Sequence, residues 1–400
     1  MSKISSELPL AGIKIVDLTQ VQFGPSATQV LGDFGAEIIK IERPGHGDIS
    51  RSLDPFVEPG GQSTNFLALN RNKRSVAVDI TKPAGAELLR RLAQKADVLV
   101  HNFRPGVLER LDLGYEVLSS LNPRLIFAAG SGFGLTGPLA GKPGQDLLAQ
   151  SLSGLAMRNP DREGRPQLHP TAIADFTAGM LLAQGLLLAL FHRERTGRGQ
   201  SLHVSLLDTL LAMQLQEATQ WMLRQKEINW LKLYPMRIFR TKDGAITVVA
   251  VFRPNPIADI CSALELDDIT QNPAFSTREV QMKNIEQLET ILGVGFARFT
   301  TGECIERLER KDVLCAPVLS IDEALAHPQT VENGMIIELP DPTYGTIRTT
   351  ANPVHLSSVP DIAKGPCPLL GEHTVAVAQD AGFGEEEIRQ MLEAGVLQQA

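Results

Sequence analysis

The chain has 400 residues, of which 43% are hydrophobic and 21% charged. That composition excludes a disordered or fibrous protein, and the length exceeds one ordinary core, so two domains are expected. A formal net charge of −8 excludes bulk nucleic-acid binding, which needs many phosphate-facing cations.

In chain order, residues 13–18 read as a strand, 26–34 as a helix and 37–41 as a second strand. A short strand over 75–80, an amphipathic helix over 84–96 and strands over 97–100 and 125–129 follow. Strands interleaved with helices at this spacing predict βαβ units and a parallel sheet, hence an α/β fold. Helices are expected over 147–156 and 180–191. The apolar stretch 178–191 is about 14 residues long, short of the roughly 20 that cross a bilayer, and reads as a buried helix with no membrane partner. A turn at 196–200, a strand over 201–204 and a long helix over 205–224 come next. From Asn229 the texture changes: Asp243-Gly244 is a turn signal between 237–240 and a strand over 245–251, and helices dominate to about Lys311. The expected organisation is a large domain over 1–225, a smaller α+β domain over 226–325 and a returning segment over 326–400.

Cys261, Cys304, Cys315 and Cys367 stand far apart and form no C-x-x-C pair, which points to reduced thiols in a cytoplasmic protein and to no metal site. Residues 1–10 hold no apolar run of the length a signal peptide needs.

The segment Pro170-Thr171-Ala172-Ile173-Ala174-Asp175-Phe176-Thr177-Ala178-Gly179 places one carboxylate at the mouth of an apolar helix. Asp175 has two readings: an N-cap for the free N–H groups of the first turn, or a nucleophile kept ionised by the positive helix end. The first βα turn, Thr19 to Pro25, lacks G-x-G-x-x-G, which argues against a dinucleotide even with Glu42 ending the second strand. Gly130-Ser131-Gly132-Phe133-Gly134 has Ala129 where a nucleophile elbow needs glycine, so it reads as a loop over a ligand or as a plain turn. Arg43, Lys73-Arg74, Arg110, Lys142 and the run Asn102-Phe103-Arg104-Pro105-Gly106 lie near strand ends. Ligands of open α/β sheets bind beyond the carboxyl ends of the strands, and several cations with an aromatic suit a ligand with phosphates and a flat base. Scattered solvated charge is the competing reading for each.

Taken together, Val21 to Pro25, Gly35 to Pro44, Asn72 to Ser75, Asn102 to Gly106, Ala172 to Gly179, Thr196 to Gln200 and Ala316-Pro317-Val318 resemble the class III CoA-transferases, the CaiB/BaiF family that includes formyl-CoA transferases. The likeness runs from Pro9 to Thr374. It implies a doubly wound, Rossmann-like coenzyme A domain completed by the C-terminal segment, a small inserted domain, and an interlaced homodimer. It carries coenzyme A contacts onto Val21, Gln22, Arg43, Val78, Asn102, Phe103, Arg110 and Lys142, with Lys73 and Arg74 lining the same region. It carries the nucleophile onto Asp175, with acyl-CoA and small organic acids as partners and no metal. Gln22 is placed to donate to an acyl oxygen. The apolar helix after Asp175 and the loop 131–134 would exclude water.

Two departures narrow the resemblance. Racemases of this fold use a His directly before an Asp to move an α-proton; here the pair is Gln145-Asp146, and Gln cannot serve as that base. A racemase-like isomerase and a non-catalytic CoA-binding homologue are therefore the alternatives. The glycine-rich lid of formyl-CoA transferases has no counterpart in Val251-Phe252-Arg253-Pro254-Asn255-Pro256, where Arg253 either binds a second carboxylate or is a surface charge. Specificity is expected around Leu53, Phe23 and the small domain, with a small dicarboxylate preferred.

Overall fold

The computed structural model describes residues 7–57, 61–161, 163–359, 362 and 364–400. Residues 1–6 of the segment read for a leader lie outside the described residues. The chain divides into two compact units, one formed by residues up to Gln214 with Gly334–Ala400 and the other by Leu215–Asn333.

The first unit opens with β1 Lys14–Leu18, α1 Phe23–Asp33 and β2 Glu37–Glu42. It continues through α2 Thr64–Leu67, β3 Lys73–Val78, α3 Pro83–Lys95, β4 Val98–His101, α4 Tyr115–Leu121 and β5 Ile126–Ser131. Then come α5 Asp146–Leu152, α6 Ile173–Thr196, β6 Ser201–Ser205 and α7 Leu206–Met213. The second unit holds α8 Leu215–Arg224 and an antiparallel sheet of β7 Met236–Arg240, β8 Ala245–Val249 and β9 Leu314–Pro317. Helices Pro256–Ala263, Ile285–Phe296 and Thr301–Glu309 close its core around Phe239, Ile246, Leu292 and Phe296. The chain then returns to the first unit with the hairpin β10 Ile336–Asp341 and β11 Gly345–Thr350, two helices over Thr374–Asp380 and Glu385–Glu393, and β12 Leu397–Gln398.

The central sheet has the order β12-β3-β2-β1-β4-β5-β6, parallel throughout except for β12 against β3. Strands such as β1 and β4 are apolar on both faces because helices cover both. Ile15, Ile38, Val98 and Val100 meet α1 and α6, whereas Val16, Ile39 and Leu99 meet α3 and the C-terminal helices. From β1 the chain passes to β2 and β3 on one side and to β4 on the other. The crevice beyond the carboxyl ends of β1 and β4 is therefore the topological switch point, where ligands of such sheets bind.

Two elements differ from the sequence reading in ways that matter. The strand expected over 75–80 begins at Lys73, which draws Lys73 and Arg74 into the sheet at its amino end. The helix expected over 180–191 has 24 residues, starts at Ile173 and stops where Gly197 adopts φ +72°. Its length and composition would allow it to cross a membrane, correcting the shorter estimate. Here Ala178, Leu182 and Leu186 instead pack into the core, and the buried Arg193 pairs with Asp97 at 2.8 Å. The helix lies close against α1 because residue 179 is glycine: a Cβ there would stand 2.0 Å from Ser26 Oγ and 2.7 Å from the Phe23 carbonyl oxygen.

Candidate active site

The loop between β1 and α1 is held from several sides. The Gln20 N–H donates to Asn102 Oδ1 and Asn102 Nδ2 donates to the Gln20 carbonyl, both at 2.9 Å, so the β1 and β4 loops are latched to each other. The Val21 N–H donates to Asp48 Oδ1 at 3.0 Å, and Val21 takes φ +65°. A β-branched residue in that region costs about 1–3 kcal/mol, and such strain persists only where the surroundings impose it. The turn delivers Gln22 to the N-cap of α1 with its side chain making no capping bond.

Beneath the loop lies a set of buried charges. Lys40 Nζ donates to the Thr19 carbonyl at 2.8 Å and pairs with Asp48 at 2.8 Å. Asp17 accepts from the Thr19 N–H, the hydroxyls of Thr19 and Thr28, and Lys73 Nζ at 3.2 Å. Burial pushes the Asp17 carboxyl up, but Lys73, Lys40 and the two hydroxyls outweigh it and hold it at about 2. Arg51 grips Glu42 in bidentate fashion at 2.7 and 2.8 Å.

Above the carboxyl ends of the strands is a cavity of about 320 Å³. Gln22, Phe23, Asn102, Arg104, Lys142 and Asp175 are among the residues lining it. Its wall is two loops crossing backbone to backbone: a Cβ on Gly132 would lie 2.3 Å from Gly144 Cα. A second cavity of about 280 Å³ is lined by Arg43, Val78, Ile80, Val107 and Leu111, and Gln20 and Phe103 face both. Arg110 is exposed and is not among the described residues lining either cavity; its guanidinium stands 3.1 Å from where a Gly106 Cβ would be.

Asp175 is the third residue of α6, and Ala172 occupies the N-cap, so the carboxylate is not a cap. Its N–H donates to Asp146 Oδ2 at 2.9 Å. Burial, and then the charge of Asp146, push the Asp175 carboxyl up to about 7. The helix end was expected to keep it ionised; desolvation and the second carboxylate prevail over that small favourable field.

Of the residues named from sequence, Val21, Gln22, Asn102, Phe103, Lys142 and Asp175 converge on the first cavity, and Arg43, Val78 and Phe103 on the second. Lys73 and Arg74 converge on neither. Lys73 is spent inside the fold on Asp17, Thr28 and Asn70, and Arg74 pairs with Glu37 and Asp380. Arg253 pairs with Asp259 and Asp312, both at 3.2 Å. Sequence reasoning missed Asp48 and Lys40 as supports of the Val21 turn, and Asp146 as a partner of Asp175. Their separations in sequence, 27 residues from Val21 to Asp48 and 29 from Asp146 to Asp175, leave no local signal.

The family model for CoA-transferase family III matches residues 10–374. The chain belongs to this family. It is 34% identical over 405 residues to the succinyl-CoA:glutarate CoA-transferase of Homo sapiens, covering 100% of this chain and 92% of that protein. It is 33% identical over 411 residues to the formyl-CoA:oxalate CoA-transferase of Escherichia coli O157:H7, covering 96% and 98%. Among solved structures, a CaiB/BaiF family protein from Brucella suis superposes with a TM-score of 0.84 at 28% identity, over 94% of this chain and 100% of that one. Family III membership accords with the parallel central sheet described above.

Proposed function

We propose that this family III member moves CoA from an acyl-CoA to a free carboxylic acid, with Asp175 as the nucleophile. One observation carries the reading: Asp175 is the only acid among the described residues that line the first cavity. The ionised Asp175 attacks the thioester carbonyl, the C–S bond breaks, and a mixed anhydride and CoA thiolate form. The thiolate then attacks the Asp175 carbonyl, releasing the first acid and leaving an aspartyl-CoA thioester. The acceptor carboxylate runs the two steps backwards and departs as the new CoA ester. Gln22, whose side chain is free of capping duty, donates to the developing oxyanion.

The second cavity suits the nucleotide end of CoA: Val78, Ile80, Phe103 and Val107 offer an apolar face, and Arg43 supplies a cation for a phosphate. A racemase reading finds no support at Gln145, whose side-chain oxygen accepts the Leu147 N–H at 3.1 Å as a helix cap. We place the enzyme in the cytoplasm as a homodimer. The outward face of α6 leaves Phe176, Leu187, Leu188 and Phe191 between 43% and 68% exposed, an apolar stripe that a second copy would cover. A small dicarboxylate is the acid proposed, in line with the glutarate and oxalate named for the relatives.

The test is mass spectrometry of purified protein given succinyl-CoA and a panel of free acids, with Asp175→Ala alongside. A new CoA ester made only by the intact enzyme supports the reading. Scrambled α-stereochemistry of a branched acyl-CoA without any new ester would replace it with the racemase.

A further inference from the structure

The transferase reading gives Asp175 its task and leaves Asp146, 2% exposed beneath it, with none. Asp146 Oδ2 accepts the Asp175 N–H at 2.9 Å and Oδ1 accepts Gln150 Nε2 at 2.6 Å. Gln150 is itself fixed, since its Oε1 accepts the His169 N–H at 2.8 Å and its Nε2 reaches the His169 carbonyl at 3.2 Å. No ion pair to Asp146 forms among the described residues. Phe23 at the start of α1 and Leu206 at the start of α7 line the same cavity as Asp175, and neither is titratable. The charged groups around the nucleophile are therefore Asp146 behind it and Lys142 and Arg104 across the cavity, with His169 beyond Gln150.

We propose that Asp146 is a positioning residue for the transfer: it anchors the first turn of α6, and its negative charge disfavours the free Asp175 carboxylate, driving acylation forward. The inference rests on the reading of Asp175 as nucleophile. When Asp175 attacks the thioester carbon and CoA thiolate leaves, the Asp175 charge is lost to the new C–O bond. The mixed anhydride and the aspartyl-CoA thioester are both neutral at this side chain, so repulsion from Asp146 exists in the free enzyme and vanishes in each covalent form. Repulsion across a buried, cation-free gap is little screened. Burial raises the titration of Asp175 first, and the Asp146 charge adds to it.

The experiment compares wild type, Asp146→Asn and Asp146→Glu by intact-protein mass spectrometry after incubation with succinyl-CoA, and by the pH profile of kcat/KM. Wild type should trap CoA on Asp175 and show an acid limb near 7. In Asp146→Asn, the ratio of trapped to free enzyme should fall, by roughly tenfold for about 1.4 kcal/mol of repulsion removed, and the acid limb should move to lower pH. Asp146→Glu, which keeps the charge, should restore the limb. A folded Asn variant with an unmoved limb and undiminished adduct would overturn the proposal. A uniform loss at every pH in both variants would also overturn it, because that marks a scaffold role alone. If wild type itself traps no CoA with any acyl-CoA, the transferase reading falls, and this inference with it.

Discussion

Asp17 and Asp175 stand in two regions of one unit and show opposite outcomes of burial. Asp17 lies at the end of β1 with no exposed surface, ringed by Lys73, Lys40, Thr19 and Thr28, and is held at about 2. Asp175, on α6 and less enclosed, has no ion-pair partner among the described residues and a second carboxylate behind its amide, and rises to about 7. Desolvation opposes the charge in both places; the partners decide the sign. The floor under the Val21 turn is built to stay ionised and rigid. The rim holding Asp175 keeps a carboxylate uneasy, which suits the nucleophile proposed for that position.

The largest effect should come from removing the uneasy carboxylate. Asp175→Asn should lower turnover by roughly 10³–10⁴-fold while leaving CoA binding intact, measured by steady-state kinetics and calorimetry. Turnover near the wild-type rate would end the distinction between the two acids. Next, Lys73→Met should cost about 3–5 kcal/mol in denaturant unfolding, because it strands Asp17 as a buried charge. That loss should shrink at acid pH, where Asp17 becomes protonated in the variant, and in the double variant with Asp17→Asn. A loss unchanged by either would show that Lys73 acts through packing instead.

Gly179→Ala should cost about 1–3 kcal/mol by overpacking the α1–α6 contact, and its displaced α6 should reduce turnover as well. An unchanged melting temperature would mean that the two helices part at no cost. The smallest effect concerns pH and stability. The folded Asp175 keeps its proton to about 7, whereas the unfolded chain releases it near 3.8, so wild-type stability declines as pH rises across that window. Asp175→Asn should match wild type below the window and exceed it by roughly 2–4 °C in Tm above it. A difference of the same size at every pH would refute the raised titration of Asp175.

The sequence by itself determined the family and the parallel sheet, and it named several of the residues that line the first cavity. These depend on short-range patterns: apolar runs of Ile and Val bounded by turns, and blocks such as 102–106 and 172–179 whose order along the chain is legible without coordinates. It also showed Gln145 where a proton-abstracting base would stand. Lys73 and Arg74 misled because their charge suggested a phosphate partner, and a two-residue shift of β3 turns Lys73 inward to Asp17 instead. Tertiary structure alone decided that Asp48 would clamp Val21 and that Asp146 would sit behind Asp175. It also decided that a carboxylate at a helix end would be pushed up rather than down. Each of these outcomes depends on which groups converge in a region that excludes water, and electrostatic energy there follows distance and dielectric, not position along the chain.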